Sequence, residues 1–266
     1  PASSICCDTS GARLPAKKER DMNADMKNHW NRAYSAKEVT ELGWYETASE
    51  PSIRLVSKCG LGKDDPVLDV GAGASKLIDY LLDEGYGNVT AVDISETALG
   101  KLRERLGPEK SGRVRWIVDD VTKPAHMAGL SGVALWHDRA LLPSLPGEKD
   151  RETYSGVRDR GIRSGGYVIV AAFSLTGARK CSGLDVRNYD VKSLSDFLGE
   201  GYDLIDSFDH LVLRRLRGEG FSVSLDHLGE EVADREAALA ARDAYPACLS
   251  RLGAPGTGGS LKLTRQ

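Results

Sequence analysis

The chain has little of what marks membrane-spanning, nucleic-acid-binding or disulfide-stabilised proteins. Its 266 residues contain no apolar run near the roughly 18 residues that a membrane helix needs. The formal net charge is -3, so no basic excess attracts nucleic acid or an anionic membrane surface. The five cysteines are an odd number, and none stands in a C-x-x-C pair, which argues against a disulfide framework and a thiolate metal site. These absences predict a cytoplasmic protein without a bound metal.

Composition divides the chain into three parts. Residues 1–27 lack the apolar segment of an intact secretory signal, and their small and polar residues predict a disordered leader. Residues 28–228 carry regular apolar patterning and form the predicted domain. Residues 229–266 are predicted to form an Ala- and Glu-rich C-terminal helix followed by a flexible Gly/Ser-rich tail.

Short apolar strands alternate with helices through the predicted domain. Five strands are predicted at "PVLDV", "NVTAVDI", "RVRWIVDDV", "GVALWHDRA" and "GGYVIVAAF". Two more are predicted in "YDLIDSFDHLVLRRL" and "GFSVSLDHL". Ser95 is the predicted N-cap of the helix "SETALGKLRERLG". Because this alternation is typical of sheets covered by helices on both faces, we expect an α/β fold with a doubly wound, mostly parallel seven-stranded sheet.

A glycine-rich loop follows the first of these strands in "VLDVGAGAS". Ligands of doubly wound sheets bind beyond the carboxyl ends of the strands, so the loop with Gly71 and Gly73 is the predicted site. A dinucleotide site would have a third glycine where this chain has Lys76. Asp69, just before the glycines, disfavours a pyrophosphate but suits a ligand with an ammonium group and no phosphate. S-adenosylmethionine fits this description, and NAD is the less favoured alternative.

Acidic residues also end the second and third predicted strands. Asp93 lies about 20 residues after Gly73, the spacing of an acid that binds both hydroxyls of a ribose, although NAD sites use the same device. Asp120 is the predicted acceptor for the adenine amino group, and Asp119 is its competitor. Three acids at successive strand ends indicate a nucleoside ligand more strongly than the glycines alone.

Three segments in this order resemble one enzyme family. "VLDVGAGASKLIDYLLDEGYGNVTAVDIS", "RVRWIVDDVTKP" and "LWHDRA" are similar to the class I S-adenosylmethionine-dependent methyltransferases, particularly to small members with a segment like "HWNRAY…GWYE". The resemblance extends from about His29 to Asp206. It implies a Rossmann-like methyltransferase fold in which the glycine loop holds the methionine part of the cofactor. It also implies that an N-terminal aromatic segment with Trp30, Tyr34, Trp44 and Tyr45 forms a lid.

The predicted cofactor contacts follow from these arguments and from this resemblance. They are Trp30, Tyr34, Trp44, Asp69, Gly71, Ala72, Gly73, Asp93, Ile94, Asp120, Val121 and Trp136. His137 follows at the end of the fourth strand, where the methyl acceptor is expected, and is either a general base or a structural histidine. Asp138 and Arg139 are expected to pair with each other and to hold that loop.

Three functions of different classes agree with these residues. The first is methyl transfer to a small-molecule nucleophile, such as a thiol or another soft atom. The second is methyl transfer to a protein lysine, and the third is a non-catalytic module that binds the cofactor or a partner. A concave site closed by the aromatic segment favours a small molecule, whereas an open groove along the rim favours a protein.

Overall fold

The computed structural model describes residues 17–208, 212–215 and 221–224, and places side chains over residues 26–208. The helices are α1 (Lys17–Ala36), α2 (Glu50–Val56), α3 (Leu77–Asp83), α4 (Glu96–Ser111), α5 (Glu148–Gly161) and α6 (Val191–Leu198). The strands are β1 (Val67–Val70), β2 (Val89–Asp93), β3 (Val114–Val118), β4 (Val133–Arg139), β5 (Ile162–Ala171), β6 (Lys180–Cys181), β7 (Leu184–Asp185), β8 (Val212–Arg215) and β9 (Phe221–Ser224). Residues 1–16 of the predicted leader and the predicted C-terminal helix and tail lie outside the described residues.

The central sheet is parallel and has the strand order β3-β2-β1-β4-β5. The chain leaves β1 toward β2 on one side and later returns to place β4 on the other side. The loop after β1 therefore lies where the strand order reverses, which is the usual ligand-binding position in doubly wound sheets. Parallel strands need crossover connections, and here α3 and α4 connect β1 to β2 and β2 to β3.

The prediction of seven strands in this sheet is wrong, because the sheet of the described residues has five. β8 and β9 pair antiparallel with each other in a separate two-stranded sheet. Residues 202–208, the start of the first late strand, have no strand structure. Leu204 and Ile205 form a short apolar pair of the kind that strands contain, yet 61% and 71% of their surface is exposed. A strand also needs a neighbour for its backbone, and local pattern does not supply one.

Apolar side chains cover both faces of the sheet, as the buried run "VLDV" of β1 leads one to expect. Val67 packs into one cluster with α2, α3 and α4, whereas Leu68 and Val70 pack into a second cluster with α5 and α6. Side chains alternate along a strand, so Asp69 points to the same face as Val67. This face is the one that α2 covers.

Helix α1 docks on the beginning of α4. The carboxamide Oδ1 of Asn31 accepts hydrogen bonds from Ser95 Oγ at 2.8 Å and from the Thr97 amide at 3.3 Å. Ser95 Oγ also accepts from the Ala98 amide at 3.1 Å, which confirms Ser95 as the N-cap. Residues 17–27, which belong to the predicted disordered leader, are helical instead. The docking brings the aromatic segment after α1 close to the glycine loop.

Candidate functional site

A cavity of about 260 Å³ lies at the carboxyl ends of β1 to β4. The loop after β1, the ends of β2 and β3, and the aromatic segment all contribute to its wall. Most of the predicted cofactor contacts line it: Trp30, Tyr34, Trp44, Asp69, Gly71, Ala72, Asp93, Ile94, Asp120 and Val121. The structure thus brings together residues that are up to 91 positions apart because parallel strands present their carboxyl ends at one edge.

At two positions of the glycine loop the neighbouring residues pack so closely that a side chain does not fit. Gly71 has φ +69, and a Cβ there would lie 2.9 Å from Leu141 Cβ. Gly73 has φ +52, and a Cβ there would lie 2.3 Å from the Tyr34 hydroxyl. Both positions need the left-handed backbone that glycine adopts without a steric cost. Gly73 does not line the cavity; its amide instead donates to Asp93 Oδ2 at 2.8 Å, which ties the loop to β2.

Asp69 belongs to a chain of three buried polar side chains. In the sheet Asp69 on β1 is paired with His137 on β4, so the two side chains lie side by side on one face. His137 Nδ1 lies 2.7 Å from Asp69 Oδ1, and His137 Nε2 lies 2.8 Å from the Ser52 hydroxyl on α2. A carboxylate only accepts, so Nδ1 carries the hydrogen of the first bond. Oδ2 of Asp69 is buried and receives no hydrogen bond from the described residues.

His137 does not line the cavity, although the sequence places it near the expected acceptor. It is 1% exposed and both ring nitrogens are engaged by Asp69 and Ser52. The geometry therefore assigns it to the support of Asp69 rather than to contact with an acceptor.

The structure also places Trp136 away from the cavity, in contrast to its prediction as a cofactor contact. Trp136 is fully buried, and its Nε1 donates to the Tyr154 hydroxyl at 3.0 Å. Because strand side chains alternate, Trp136 points to the face opposite His137, where it packs with α5.

Asp138 does not pair with Arg139, which corrects that expectation. Its carboxylate accepts from the Tyr154 hydroxyl at 2.7 Å and from the amides of Leu141 and Leu142. Burial raises the pKa of Asp138 to about 6. Its bonds hold the loop after β4 in shape, including Ala140 with its positive φ of 72.

Asp93 is fixed by the backbone. Its Oδ1 accepts from the Ser95 amide at 2.7 Å, and its Oδ2 accepts from the Gly73 amide. Burial raises the pKa of Asp93 to about 6, and these amide hydrogen bonds limit the rise. The carboxylate lines the cavity with its position fixed before any ligand arrives, as a ribose-binding acid requires.

The structure separates the roles of the two acids after β3. Asp119 accepts hydrogen bonds from the amides of Ala125, His126 and Met127, so its carboxylate shapes the following loop. Asp120 Oδ1 accepts from the amide and hydroxyl of Thr122. Both acids line the cavity and both carboxylates are hydrogen-bonded; Asp119 accepts from more amides of the following loop, and Asp120 stays the predicted acceptor for the adenine.

The aromatic segment covers the cavity with interlocking rings. Trp30 and Trp44 meet edge to face with centroids 5.8 Å apart, and Trp44 meets Tyr34 at 5.9 Å. Trp44 Nε1 donates to the Tyr34 hydroxyl at 3.2 Å. Burial raises the pKa of Tyr34, so its phenol stays protonated. Tyr45 also lines the cavity.

Two charged residues of the wall, Glu46 and Arg139, were not predicted as site residues. Arg139 Nη2 lies 2.9 Å from Glu46 Oε1 and donates to the Trp44 carbonyl at 3.1 Å. This contact joins the end of β4 to the aromatic segment. The sequence signal for Glu46 was its place directly after the aromatic pair in "GWYE", whereas Arg139 had been assigned to the loop after β4.

These features fit S-adenosylmethionine. The orphaned Oδ2 of Asp69 can accept from an ammonium group, the glycine loop leaves room for close approach, and Asp93 can accept from ribose hydroxyls. A family profile described as a methyltransferase domain matches residues 67–135, which contain the loop and the first three acidic strand ends. The site and this match identify an S-adenosylmethionine-dependent methyltransferase.

Individual relatives of this methyltransferase are distant. EEF1A lysine methyltransferase 2 of Mus musculus is 22% identical over 219 residues, which cover 74% of this chain and 83% of the relative. A structure of an S-adenosylmethionine-dependent methyltransferase from Anabaena variabilis aligns with TM-score 0.59 and 11% identity over 76% of this chain and 91% of that one. The 1,6-didemethyltoxoflavin-N1-methyltransferase of Burkholderia thailandensis aligns with TM-score 0.52 and 21% identity over 80% and 90%. At these identities the solved structures support the fold of the methyltransferase alone. Within its described residues, none of its helices combines the length and the apolar character that crossing a membrane requires.

Proposed function

We propose that this methyltransferase acts on a small-molecule nucleophile that enters the cavity beneath the aromatic segment. The observation that carries the proposal is the covered site: Trp30, Tyr34, Trp44 and Tyr45 contribute to the same cavity wall as the acids of the sheet edge. A covered, concave site admits a small ligand more readily than a folded protein surface.

The protein has to bind and orient its ligands. Bound S-adenosylmethionine supplies an activated methyl group on a sulfonium, so much of the acceleration can come from placement. Asp69 would hold the ammonium group, Asp93 the ribose and Asp120 the adenine.

A protein lysine is the second candidate acceptor. Its support is the alignment with EEF1A lysine methyltransferase 2, which includes most of that relative's length. A lysine side chain is narrow, and its end can enter a cavity that the body of a protein cannot.

A screen with methyl-labelled S-adenosylmethionine tests the proposal. The full chain is incubated with metabolites, thiols and a cell extract, and the products are separated by molecular mass. We expect the label in the small-molecule fraction. Label in a protein band would replace the first candidate by the second, and cofactor binding without any transfer would indicate the non-catalytic alternative. A cytoplasmic location stays a prediction.

A further inference from the structure

The acceptor side of the cavity follows from the strand order. Asp69, Asp93 and Asp120 end or follow β1, β2 and β3, so the proposed cofactor contacts lie on one half of the sheet edge. The other half lies beyond β4 and β5. Arg139 ends β4 there, and the nearby part of the cavity wall also contains Cys181, Leu184 and Val186. A methyl acceptor has to occupy this second half.

Glu46 is a carboxylate of this half. Its Oε1 is paired with Arg139 at 2.9 Å, and its side chain is 13% exposed. Its Oε2 is buried, and no group within the described residues donates to it. A buried carboxylate oxygen without a donor is unfavourable, and ordinary folding leaves few such atoms. A ligand that brings an N–H or O–H donor to Oε2 removes that cost.

The charge of the wall restricts which donor is suitable. The acidic residues of the wall are Glu46, Asp69, Asp93, Asp119, Asp120 and Asp150, whereas its basic residues among those described are Lys76 and Arg139. Lys76 lies 3.6 Å from Asp79, and Arg139 is paired with Glu46. An anionic acceptor such as a thiolate would meet this negative field, whereas a cation is attracted to it. Trp30, Trp44 and Tyr45 add aromatic surfaces that also favour a cation.

We propose that the methyl acceptor is a primary amine whose nitrogen donates a hydrogen bond to Oε2 of Glu46. The inference rests on the proposed function and replaces the soft-atom acceptor expected from the sequence. The amine enters as an ammonium ion and releases one proton to water, which frees the nitrogen lone pair. An N–H bond to Oε2 then holds the nitrogen with its lone pair directed away from the carboxylate.

The transfer is balanced. The nitrogen lone pair forms the new N–C bond while the C–S bond breaks, and the electron pair of that bond returns to sulfur. The product is a secondary ammonium ion, which then loses a proton to water. The chemistry is the same for a small amine and for a lysine side chain.

A structural role of Glu46 has to be separated from this one. Glu46 could simply anchor the aromatic segment through Arg139. Arg139→Gln removes the same ion pair but keeps the Glu46 carboxylate, so it is the matched control for Glu46→Gln. Glu46→Asp keeps the charge and serves as the conservative variant.

The proposal is tested by measuring how tightly the protein binds three probes that share one carbon skeleton and differ in their functional group. The full chain is saturated with S-adenosylhomocysteine, and phenethylamine, 2-phenylethanol and 2-phenylethanethiol are titrated into it by calorimetry at pH 7.5. We expect the amine to bind about tenfold or more tightly than the alcohol and the thiol, as a charged hydrogen bond implies. This preference should disappear in Glu46→Gln and persist in Glu46→Asp and Arg139→Gln, with S-adenosylhomocysteine affinity unchanged in the two Glu46 variants. Equal or undetectable binding of the three probes, or an equal loss of preference in Glu46→Gln and Arg139→Gln, overturns the proposal.

The identity of the methylated atom is the second measurement. Label from methyl-labelled S-adenosylmethionine in a cell extract should be recovered on nitrogen, and methyl-sulfur or methyl-oxygen products overturn the inference while leaving the transferase function intact. N-methylated small molecules and N-methyllysine from hydrolysed protein distinguish the two sources of amine. No transfer at all contradicts the proposed function and, with it, the inference.

Discussion

His137 gives the sharpest test of how the cofactor end of the cavity is built. Its two ring nitrogens connect Asp69 to Ser52 through bonds of 2.7 and 2.8 Å, and all three side chains are buried. The bond to Oδ1 fixes the carboxylate, and the second oxygen, Oδ2, is left without a donor from the described residues. His137→Phe keeps a ring of similar size but removes both hydrogen bonds. We expect the Asp69 carboxylate of this variant to turn away from the orientation that a ligand ammonium needs.

The magnitude follows from the bonds that are lost. Removing the donor to a buried carboxylate costs about 1.5–3 kcal/mol of the free energy of unfolding, and the bond to Ser52 adds about 1 kcal/mol. Loss of the oriented contact with the cofactor ammonium costs a similar 1.5–3 kcal/mol, or roughly ten- to over a hundredfold in the dissociation constant of S-adenosylmethionine. His137→Asn places an amide near the position of Nδ1 and should recover most of the affinity.

The assay compares two nucleosides on the same variants. Calorimetric titration with S-adenosylmethionine and with methylthioadenosine, which has no amino-acid part, separates the Asp69 contact from general damage. We expect His137→Phe to weaken the binding of S-adenosylmethionine and to leave the binding of methylthioadenosine unchanged. Equal weakening of both nucleosides, or no weakening of either, would refute the positioning role. Since His137 does not line the cavity, the pH profile of turnover by His137→Asn should also keep the wild-type shape.

Three further predictions concern the rest of the cofactor side. Burial raises the pKa of Asp93 to about 6, and the ribose hydroxyls need the ionised carboxylate as their acceptor. Calorimetry should therefore show the affinity for the cofactor falling as the pH drops through about 6. Asp93→Asn should bind the cofactor more weakly and lack this pH dependence. Gly73→Ala and Gly85→Ala both force alanine into a positive φ, which costs about 1–2 kcal/mol by thermal unfolding; Gly73→Ala should cost more, because its Cβ also clashes with the Tyr34 hydroxyl. Only Gly73→Ala should also weaken the binding of the cofactor, because its Cβ would displace Tyr34 in the cavity wall. A Cβ at Gly85 has nothing within 4 Å and serves as the control. Asp119→Ala should chiefly lower the melting temperature and Asp120→Ala chiefly the cofactor affinity; the reverse pattern would exchange their roles.

The order of elements and the grouping of the strand-end acids could be predicted from the sequence. Short apolar strands and amphipathic helices are local patterns, and parallel strands necessarily present their carboxyl ends at one edge. Asp69, Asp93 and Asp120 therefore line one cavity, as the strand ends alone suggest. The choice between Asp119 and Asp120 needed the hydrogen bonds of the loop that follows them.

The sequence does not predict to which face of the sheet each side chain of β4 points. Both faces of a buried parallel strand are apolar, so the pattern "VALWHDR" does not tell which side faces which helix layer. The pairing of His137 with Asp69 depends on the register between strands 68 residues apart. That register places Trp136 in the opposite layer and removes it from the cavity wall.

The unsatisfied polar atoms of the described residues connect the two ends of the cavity. Six buried side-chain atoms lack a hydrogen-bond partner, and the carboxylate oxygens among them are Asp69 Oδ2 and Glu46 Oε2. Both residues line the cavity, whereas the other four atoms belong to residues outside its wall: Arg105, Arg158, Asn188 and Tyr189. One of the two oxygens lies on the cofactor half of the sheet edge and the other on the acceptor half. Because a buried acceptor without a donor costs free energy, this distribution indicates a cavity prepared for two ligands that each bring an N–H donor.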